Sequence, residues 1–157
     1  MFPLPWYSII LISIPQTILI IKLGFSLFHL QIDFRRCLTI ALLIGIVTYL
    51  LRRSSIIPGL HTIILIIFMA AFVTLLNKGN IFYSLASIIL GTMIMGIIEG
   101  LWCPLFLRLT SHSLEDLVLY PWLNIAGFMP ILLVTFIIYI FIQKYNFVIY
   151  DLAPKGI

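Results

Sequence analysis

The sequence predicts an all-α polytopic membrane protein, a bundle of about five transmembrane helices with a short interfacial helix between helices four and five. Of the 157 residues, 63% are apolar and 9% are charged, and the mean hydropathy is +1.24. An ordinary soluble domain has about 25% charged and about 45–50% apolar residues. Because this chain cannot cover its surface with polar groups, we expect the lipid bilayer to surround it.

The second observation is the length of the apolar runs. Five of them reach the roughly 20 residues that a spanning helix needs, and basic or turn-forming residues such as Asn77-Lys78-Gly79-Asn80 separate them. The sequence therefore predicts one integral membrane domain over residues 1–157. Its helices are expected at about 6–28, 34–51, 58–76, 81–107 and 122–143.

A shorter element is expected between the fourth and fifth runs. Ser113 stands three residues before Asp116, which resembles a capping box at the start of a helix. Leu114, Leu117 and Val118 would then share one apolar face. The pattern predicts an interfacial helix at about 113–120 that lies on the membrane surface.

Basic residues in short loops indicate the orientation of the chain. With the N-terminus outside, the outer side receives three of them, Arg52, Arg53 and Arg108. The inner side receives six, which are Lys22, Arg35, Arg36, Lys78, Lys144 and Lys155. The count favours a multi-pass protein of the cell membrane with its N-terminus outside and its C-terminus in the cytoplasm. Lys22 is counted on the assumption that its side chain extends from within helix one to the interface.

Composition and motifs exclude several classes of function. The net charge of +4 comes from basic residues scattered between apolar runs, so no nucleic-acid partner is expected. The two cysteines, Cys37 and Cys103, form no Cys-x-x-Cys motif, and no metal site is expected. No zinc-protease, serine-hydrolase or phosphate-loop motif occurs. We therefore expect no enzyme activity, no catalytic residues and no cofactor.

Glu99 is the most informative polar residue, because it lies well inside the fourth apolar run. A carboxylate at bilayer depth costs about 3 kcal/mol on insertion scales. Three interpretations are open: a protonated side chain that bonds a neighbouring helix, a carboxylate that contacts a ligand or ion, and an oligomer contact. Nearby, Gly96 and Gly100 have the spacing that permits close helix packing, either within the bundle or in a homo-oligomer.

Other polar residues fall at a depth compatible with Glu99. They are Gln16 on helix one, Thr48, Arg52 and Arg53 on helix two, and His61 and Thr62 on helix three. We expect an outward-facing pocket, in which Arg52 or His61 is the ionic partner of Glu99. The binding residues would be Glu99, Gln16, Arg52 and His61. The alternative is that the arginines only mark the interface and that His61 is structural.

The order of these features has a counterpart in a known family. Pro15-Gln16 lies in helix one, Tyr49-Leu50-Leu51-Arg52 ends helix two, and Pro58-Gly59-Leu60-His61-Thr62 opens helix three. Glu99 is followed by Pro104-Leu105, Leu109-Thr110 and Leu114-Glu115. Over roughly residues 8–143, the chain resembles the N-terminal membrane region of Firmicutes sensor histidine kinases of the GHKL class, those with a sporulation-type or Agr-like kinase module.

The resemblance implies a bacterial sensor-like module that binds a ligand or partner within the membrane and relays the signal to a membrane or cytoplasmic signalling protein. The segment after Lys144 is too short for a phosphoacceptor helix and an ATP site, so no kinase module is implied. The alternative is a small transporter or transporter subunit with its substrate pocket near Glu99. The scarcity of polar groups within the apolar runs favours the sensor.

Overall fold

The computed structural model describes residues 6–53, 59–149 and 151, apart from the side chains of Trp6, Ser8, Ile9, Arg52, Arg53, Leu114, Glu115 and Val118. The described residues form helices and no strands. The helices are α1 (Trp6–Leu27), α2 (Phe34–Arg53), α3 (Leu60–Asn77), α4 (Ile81–Thr110), α5 (Leu114–Leu119) and α6 (Pro121–Lys144). All except α5 are long and apolar enough to cross a membrane. The predicted all-helical architecture is thus confirmed.

The helix ends lie within three residues of the predicted ones. The largest difference is in α4, which continues through Pro104 to Thr110 instead of ending near residue 107. A proline within a helix removes the hydrogen bond to the carbonyl four residues earlier, here that of Gly100. The helix nevertheless continues beyond Pro104. The predicted start of helix three, at residue 58, lies outside the described residues.

Local signals account for the helix ends. Lys78 follows α3 in the left-handed conformation, with φ of 51°. Asn80 then caps α4, because its side-chain oxygen accepts a hydrogen bond of 2.9 Å from the backbone N–H of Phe82. The capping box predicted from Ser113 and Asp116 is present at the start of α5. Each signal acts over a few residues, so it can be predicted from the sequence.

α1 lies at the centre of the bundle. It packs against α2, α4 and α6, whereas α3 packs against α2 and α4. Half of the apolar span of α1 is buried, compared with 17% of that of α3. The largest buried cluster includes Ile21, Phe25, Ile40, Val73 and Ile88. The outward faces carry many exposed leucine, isoleucine and phenylalanine side chains, so the surface of the bundle is itself apolar.

Two glycines bring α1 and α4 into close contact. A β-carbon at Gly24 would overlap the backbone carbonyl of Ser87, and a β-carbon at Gly91 would overlap that of Ile20. Small residues permit such close approaches between apolar helices. In lipid, helices associate through packing contacts of this kind rather than through the hydrophobic effect. Gly24 and Gly91 therefore set the distance between α1 and α4.

Gly96 and Gly100, where close packing was predicted, do not bring helices together in the described part of the chain. Apart from the backbone of their own helix, no atom lies within 4 Å of a β-carbon built at either position. The Gly-x-x-x-Gly spacing indicates which residues share a helix face, but it does not indicate which face contacts a neighbouring helix. Packing of α4 within the bundle uses Gly91 instead.

Candidate ligand-binding cavity

A cavity of about 490 Å³ lies between the helices at one end of the bundle. α1, α3 and α6 begin at this end, called the cavity end, and they finish at the opposite end, called the tail end. Because α3 packs against α2 and α4 rather than against α1, space remains beside α1. The cavity walls come from residues 12–20 of α1, 44–48 of α2, 61–69 of α3, 92–106 of α4, 124–131 of α6 and Leu117 of α5.

The structure brings together the described side chains of the predicted pocket. They are Gln16, Thr48, His61, Thr62 and Glu99, and all of them line the cavity. Because successive helices run in opposite directions, residues far apart in the sequence reach the same depth. Arg52 lies in the last turn of α2, but its side chain is outside the described part of the chain. An Arg52–Glu99 ion pair therefore stays a prediction.

Four further polar side chains in the cavity were not singled out from the sequence: Ser13, Thr17, Thr92 and Asn124. Helical spacing carries a signal for three of them. Ser13 lies three residues before Gln16, Thr17 lies four residues after Ser13, and Thr92 lies two turns before Glu99. Asn124 has no such signal, because no predicted site residue lies on α6.

Hydroxyl groups in the cavity do not bond to their own helices. Elsewhere, Thr74, Thr110 and Thr135 each donate to the carbonyl oxygen four residues earlier, at 2.7–2.8 Å. In the described structure, five hydroxyl groups of the cavity make no side-chain hydrogen bond to protein. They are those of Ser13, Thr17, Thr48, Thr62 and Thr92. These hydroxyl groups are consequently available to a bound molecule.

Thr92 gives the clearest case. Its Oγ1 atom is buried and has no hydrogen-bond partner among the described residues. A buried polar group left in this state costs about 1–3 kcal/mol. Because Thr92 lines the cavity, a molecule bound there would offset that cost by bonding to the hydroxyl.

The inner end of the cavity is apolar. Ile20, Ile44, Met69, Met95 and Ile131 form it, and each is at most 5% exposed. Because of the direction in which each helix runs, the described polar lining residues lie nearer the cavity end than these apolar residues do. Thr92 is the exception. Toward the tail end, the buried cluster around Ile21 and Ile40 closes the bundle. The cavity therefore has a polar outer part and an apolar inner part.

Trp102 joins the two helices that form one wall of the cavity. Its indole Nε1 donates a hydrogen bond of 2.9 Å to the carbonyl oxygen of Gly127 on α6. The ring of Phe106 lies against the same glycine, where an added β-carbon would come within 2.9 Å of Phe106 Cε1. Trp102, Phe106 and Gly127 all line the cavity. Trp102 thus fixes α4 relative to α6 at the site.

α5 covers part of the cavity end, since Leu117 contributes to the lining. Its first turn is held by Asp116, whose carboxylate accepts a hydrogen bond of 2.7 Å from the backbone N–H of Ser113 and one of 3.1 Å from its hydroxyl. Nδ1 of His112 lies 3.4 Å from the same carboxylate. The backbone hydrogen bond from Ser113 favours the charged form and lowers the pKa of Asp116 below its ordinary value.

At the tail end, the chain that follows α6 folds back onto α1. Asn146 adopts the left-handed conformation, with φ of 46°, and reverses the chain direction. The backbone N–H of Ile149 then donates a hydrogen bond of 2.9 Å to the carbonyl oxygen of Leu27. A carboxylate oxygen of Asp151 lies 3.5 Å from Nδ1 of His29. α1 therefore borders the cavity along one half and holds the C-terminal segment at its other end.

No group of three or more metal-ligating side chains of the types His, Cys, Asp and Glu occurs among the described residues. Comparison with models of known protein families found no match. No curated protein and no solved structure matches the chain either. The resemblance to the membrane region of sensor histidine kinases stays a prediction from the sequence, and the function of the cavity is argued from its own chemistry.

Proposed function

We propose that this chain is a multi-pass membrane protein that binds a ligand in the cavity and relays the binding to a partner protein, as a sensor-like module. One observation carries the proposal: polar side chains from α1, α2, α3, α4 and α6 converge on one cavity within an otherwise apolar bundle. Polar and ionisable residues inside a membrane are costly, and they usually mark a binding site or a pathway.

The position of Glu99 agrees with this proposal. It lies on the cavity face of α4, together with Thr92, Met95 and Trp102. A carboxyl group that faced lipid would destabilise the protein without contacting a partner, whereas one that faces a cavity can bond a ligand or water. The proposal therefore assigns ligand contact to Glu99, Gln16 and the cavity hydroxyls.

The contacts of α1 support the relay. Gln16 and Ile20 of α1 line the cavity, and Leu27 at the end of the same helix binds the C-terminal segment. A shift of α1 on ligand binding would move both ends, because a packed helix moves as a unit. The C-terminal segment is consequently the place where a membrane or cytoplasmic signalling partner would detect the ligand.

The distribution of basic residues supports an orientation with the N-terminus outside and the C-terminus in the cytoplasm. The backbone of Lys22 lies within α1, but its side chain reaches the tail end of the bundle. There its Nζ donates a hydrogen bond of 2.8 Å to the carbonyl oxygen of Ile32, which lies between α1 and α2. Its charge therefore counts with the basic residues of that end. A fluorescent protein fused to the C-terminus should fluoresce and a phosphatase fused there should be inactive; the reverse result contradicts the orientation.

Binding is tested by native mass spectrometry of the full chain, purified from its own membrane in mild detergent. We expect a small molecule to remain bound to the wild-type protein in stoichiometric amount. The Gly96→Phe variant should lose it, because Gly96 lines the cavity and has room for an added side chain. Gly100→Phe is the matched control, since that position is equally open but does not line the cavity. A wild-type protein without a bound molecule contradicts the proposal.

A transporter or transporter subunit is the competing function. The closed, apolar inner end formed by Ile20, Ile44 and Met69 supports binding rather than passage. Proteoliposomes that contain the purified chain distinguish the two. Uptake of the co-purified molecule that is abolished in Glu99→Gln would make the cavity a translocation site and would contradict the sensor.

A further inference from the structure

α3 and α4 form a helical hairpin that is packed into the bundle at one of its ends. The turn between them, residues 78–80, lies at the tail end. The buried residues of α3 all lie in its second half, from Met69 onward, and those of α4 all lie in its first half, up to Met95. In the described structure, neither 60–68 nor 96–110 contains a buried residue. The two helices are therefore tightly packed near their turn and less covered toward the cavity end.

The exposed lining residues show where the cavity opens to the outside. The described lining residues of α1 and α2 are buried, apart from the half-buried Gln16, and those of α5 and α6 are buried or half-buried. Two described lining residues are exposed, Thr62 on α3 and Gly96 on α4. The wall of the cavity is consequently least complete between α3 and α4. This gap, bordered by Thr62 and Gly96, is called the lateral opening.

Gly96 lies on the border between two faces of α4. On one side of it, Thr92 and Cys103, four residues before it and seven after it, line the cavity. On the other side, Met93 and Gly100, three residues before it and four after it, are exposed and do not line the cavity. Apart from its chain neighbours and the backbone of its own helix, no described atom lies within 4 Å of a β-carbon built at Gly96. At this level, α3 therefore does not cover the border.

The lateral opening reaches the middle of α4. Gly96 lies 15 residues after the first residue of α4 (Ile81–Thr110) and 14 residues before the last. At a rise of about 1.5 Å per residue, it is about 21–23 Å from either end of the helix. The hydrocarbon core of a bilayer is about 30 Å thick. With α4 spanning the bilayer, Gly96 thus lies at the depth of the lipid chains and not at that of water.

An apolar route leads from the lateral opening to the inner end of the cavity. Met95 directly precedes Gly96, and Met69 lies opposite on α3; both line the cavity and are at most 4% exposed. The route from the cavity end passes polar groups such as Gln16, and Leu117 of α5 partly covers it. An apolar chain that enters from lipid exposes no apolar surface to water on its way, so the hydrophobic effect does not oppose its entry.

We infer that the cavity takes its ligand from the bilayer through the lateral opening, and that this ligand is a membrane-dissolved molecule with an apolar chain. The chain passes between Thr62 and Gly96 and ends beside Met69 and Met95. This inference rests on the proposed function and adds the source of the ligand to it. The opening selects for solubility in the bilayer and not for the charge of a head group.

The test labels the cavity from the lipid phase. The full chain is reconstituted in nanodiscs that contain a phosphatidylcholine with a diazirine in the middle of one acyl chain. Irradiation attaches this chain to the residues that it touches, and mass spectrometry of the peptides locates the adducts. Met93, which is 59% exposed, should be labelled by the surrounding lipid. Met95, which is 1% exposed, should be labelled as well, because the chain reaches it through the lateral opening.

Three variants test the route. Gly96→Phe should lower the ratio of Met95 to Met93 labelling at least about tenfold, which corresponds to about 1.4 kcal/mol in the free energy of chain entry. Thr62→Phe, on the other border of the opening, should act in the same direction. Gly100→Phe is the matched control and should leave the ratio unchanged, since Gly100 is equally open but does not line the cavity. Labelling of Met93 and gel filtration report whether each variant is folded.

A second probe tests entry from water. Photo-leucine, a water-soluble diazirine, is added to the buffer in place of the labelled lipid, and we expect no adduct on Met95. An adduct from photo-leucine overturns the inference and leaves the proposed function intact, and so does lipid labelling of Met95 that is unchanged in both Gly96→Phe and Thr62→Phe. Absence of label at Met95 from either probe also overturns the inference. Native mass spectrometry of the same protein then decides the proposed function, which fails if no molecule is bound.

Discussion

The indole nitrogen of Trp102 donates a hydrogen bond of 2.9 Å to the backbone carbonyl oxygen of Gly127, and this bond joins α4 to α6 at the cavity wall. It is made possible by the absence of a side chain at Gly127, against which Phe106 also packs. The two helices otherwise approach each other less extensively than α1 approaches α4. The bond and the packing of Phe106 therefore hold α4 and α6 together at the site.

Trp102→Phe should weaken the bundle and the site together. The variant keeps an aromatic ring but loses the donor to Gly127, which removes about 0.5–1.5 kcal/mol of unfolding free energy for a typical hydrogen bond. Unfolding in detergent micelles, followed by circular dichroism, measures the change. Trp122→Phe is the control, because its side chain is 65% exposed. Equal stability of the two variants would show that the bond does not stabilise the protein.

Alanine at the contact between α1 and α4 should be strongly destabilising. Gly24→Ala and Gly91→Ala each place a β-carbon into the backbone of the facing helix, so the two helices must separate. Overpacking of this kind costs typically about 1–3 kcal/mol. Thermal unfolding in detergent checks the prediction.

Gly100→Ala is the control for that experiment, because no neighbouring helix is close to it. It should be neutral or stabilising by up to about 1 kcal/mol, since alanine is a better helix former than glycine. If Gly100→Ala destabilises the protein as much as Gly91→Ala, the face of α4 that carries Gly100 forms a contact between copies of the chain.

Glu99→Gln should reduce ligand binding without unfolding the protein. Glutamine retains the shape of the side chain and its place in the cavity lining, but it cannot ionise and changes the hydrogen-bonding pattern. Hydrogen bonds to charged groups contribute about 1.5–3 kcal/mol, so affinity should fall at least about tenfold. Native mass spectrometry gives the bound fraction, and gel filtration gives the yield of folded protein. A parallel loss of folded protein would assign Glu99 a structural role.

Acid should loosen α5. The pKa of Asp116 is lower in the folded protein than its ordinary value, because the charged carboxylate accepts the backbone hydrogen bond of Ser113. The carboxylate therefore stabilises α5 fully above the ordinary aspartate pKa, about 3.9, and loses this effect as the pH falls through the lowered value. The protection of residues 113–119 against hydrogen exchange, corrected for the intrinsic exchange rate at each pH, should fall in that range. Asp116→Asn should exchange faster at neutral pH and show less dependence on pH; an unchanged profile contradicts the prediction.

His29→Asn should release the C-terminal segment. Asparagine tolerates the left-handed conformation of His29, with φ of 56°, and removes the imidazole that faces Asp151. Because exposed ion pairs contribute at most about 1 kcal/mol, the amide of Ile149 should exchange up to about fivefold faster. Asp33→Asn is the control, since Asp33 pairs with Arg36 on the same end of the bundle. Equal exchange in both variants would show that His29 does not hold the segment.

The polar residues of the site illustrate how far the sequence leads. Depth along a helix follows from counting residues, so the sequence placed Gln16, His61 and Glu99 at one level, and the structure finds them around one cavity. Rotation about the helix axis is different. Thr92 and Asn124 also face the cavity, but in helices that are apolar on every side no periodic pattern indicates which face points inward.

The sequence by itself determined five membrane-length helices, their ends to within three residues and the capped helix α5. These features depend on the length of apolar runs and on capping side chains, which are local properties. Only the tertiary structure decided that Gly24 and Gly91 join α1 to α4, and that α3 leaves a cavity beside α1. Those outcomes depend on the fit between helix surfaces far apart in the sequence, and nearly uniform apolar surfaces do not encode that fit as a pattern.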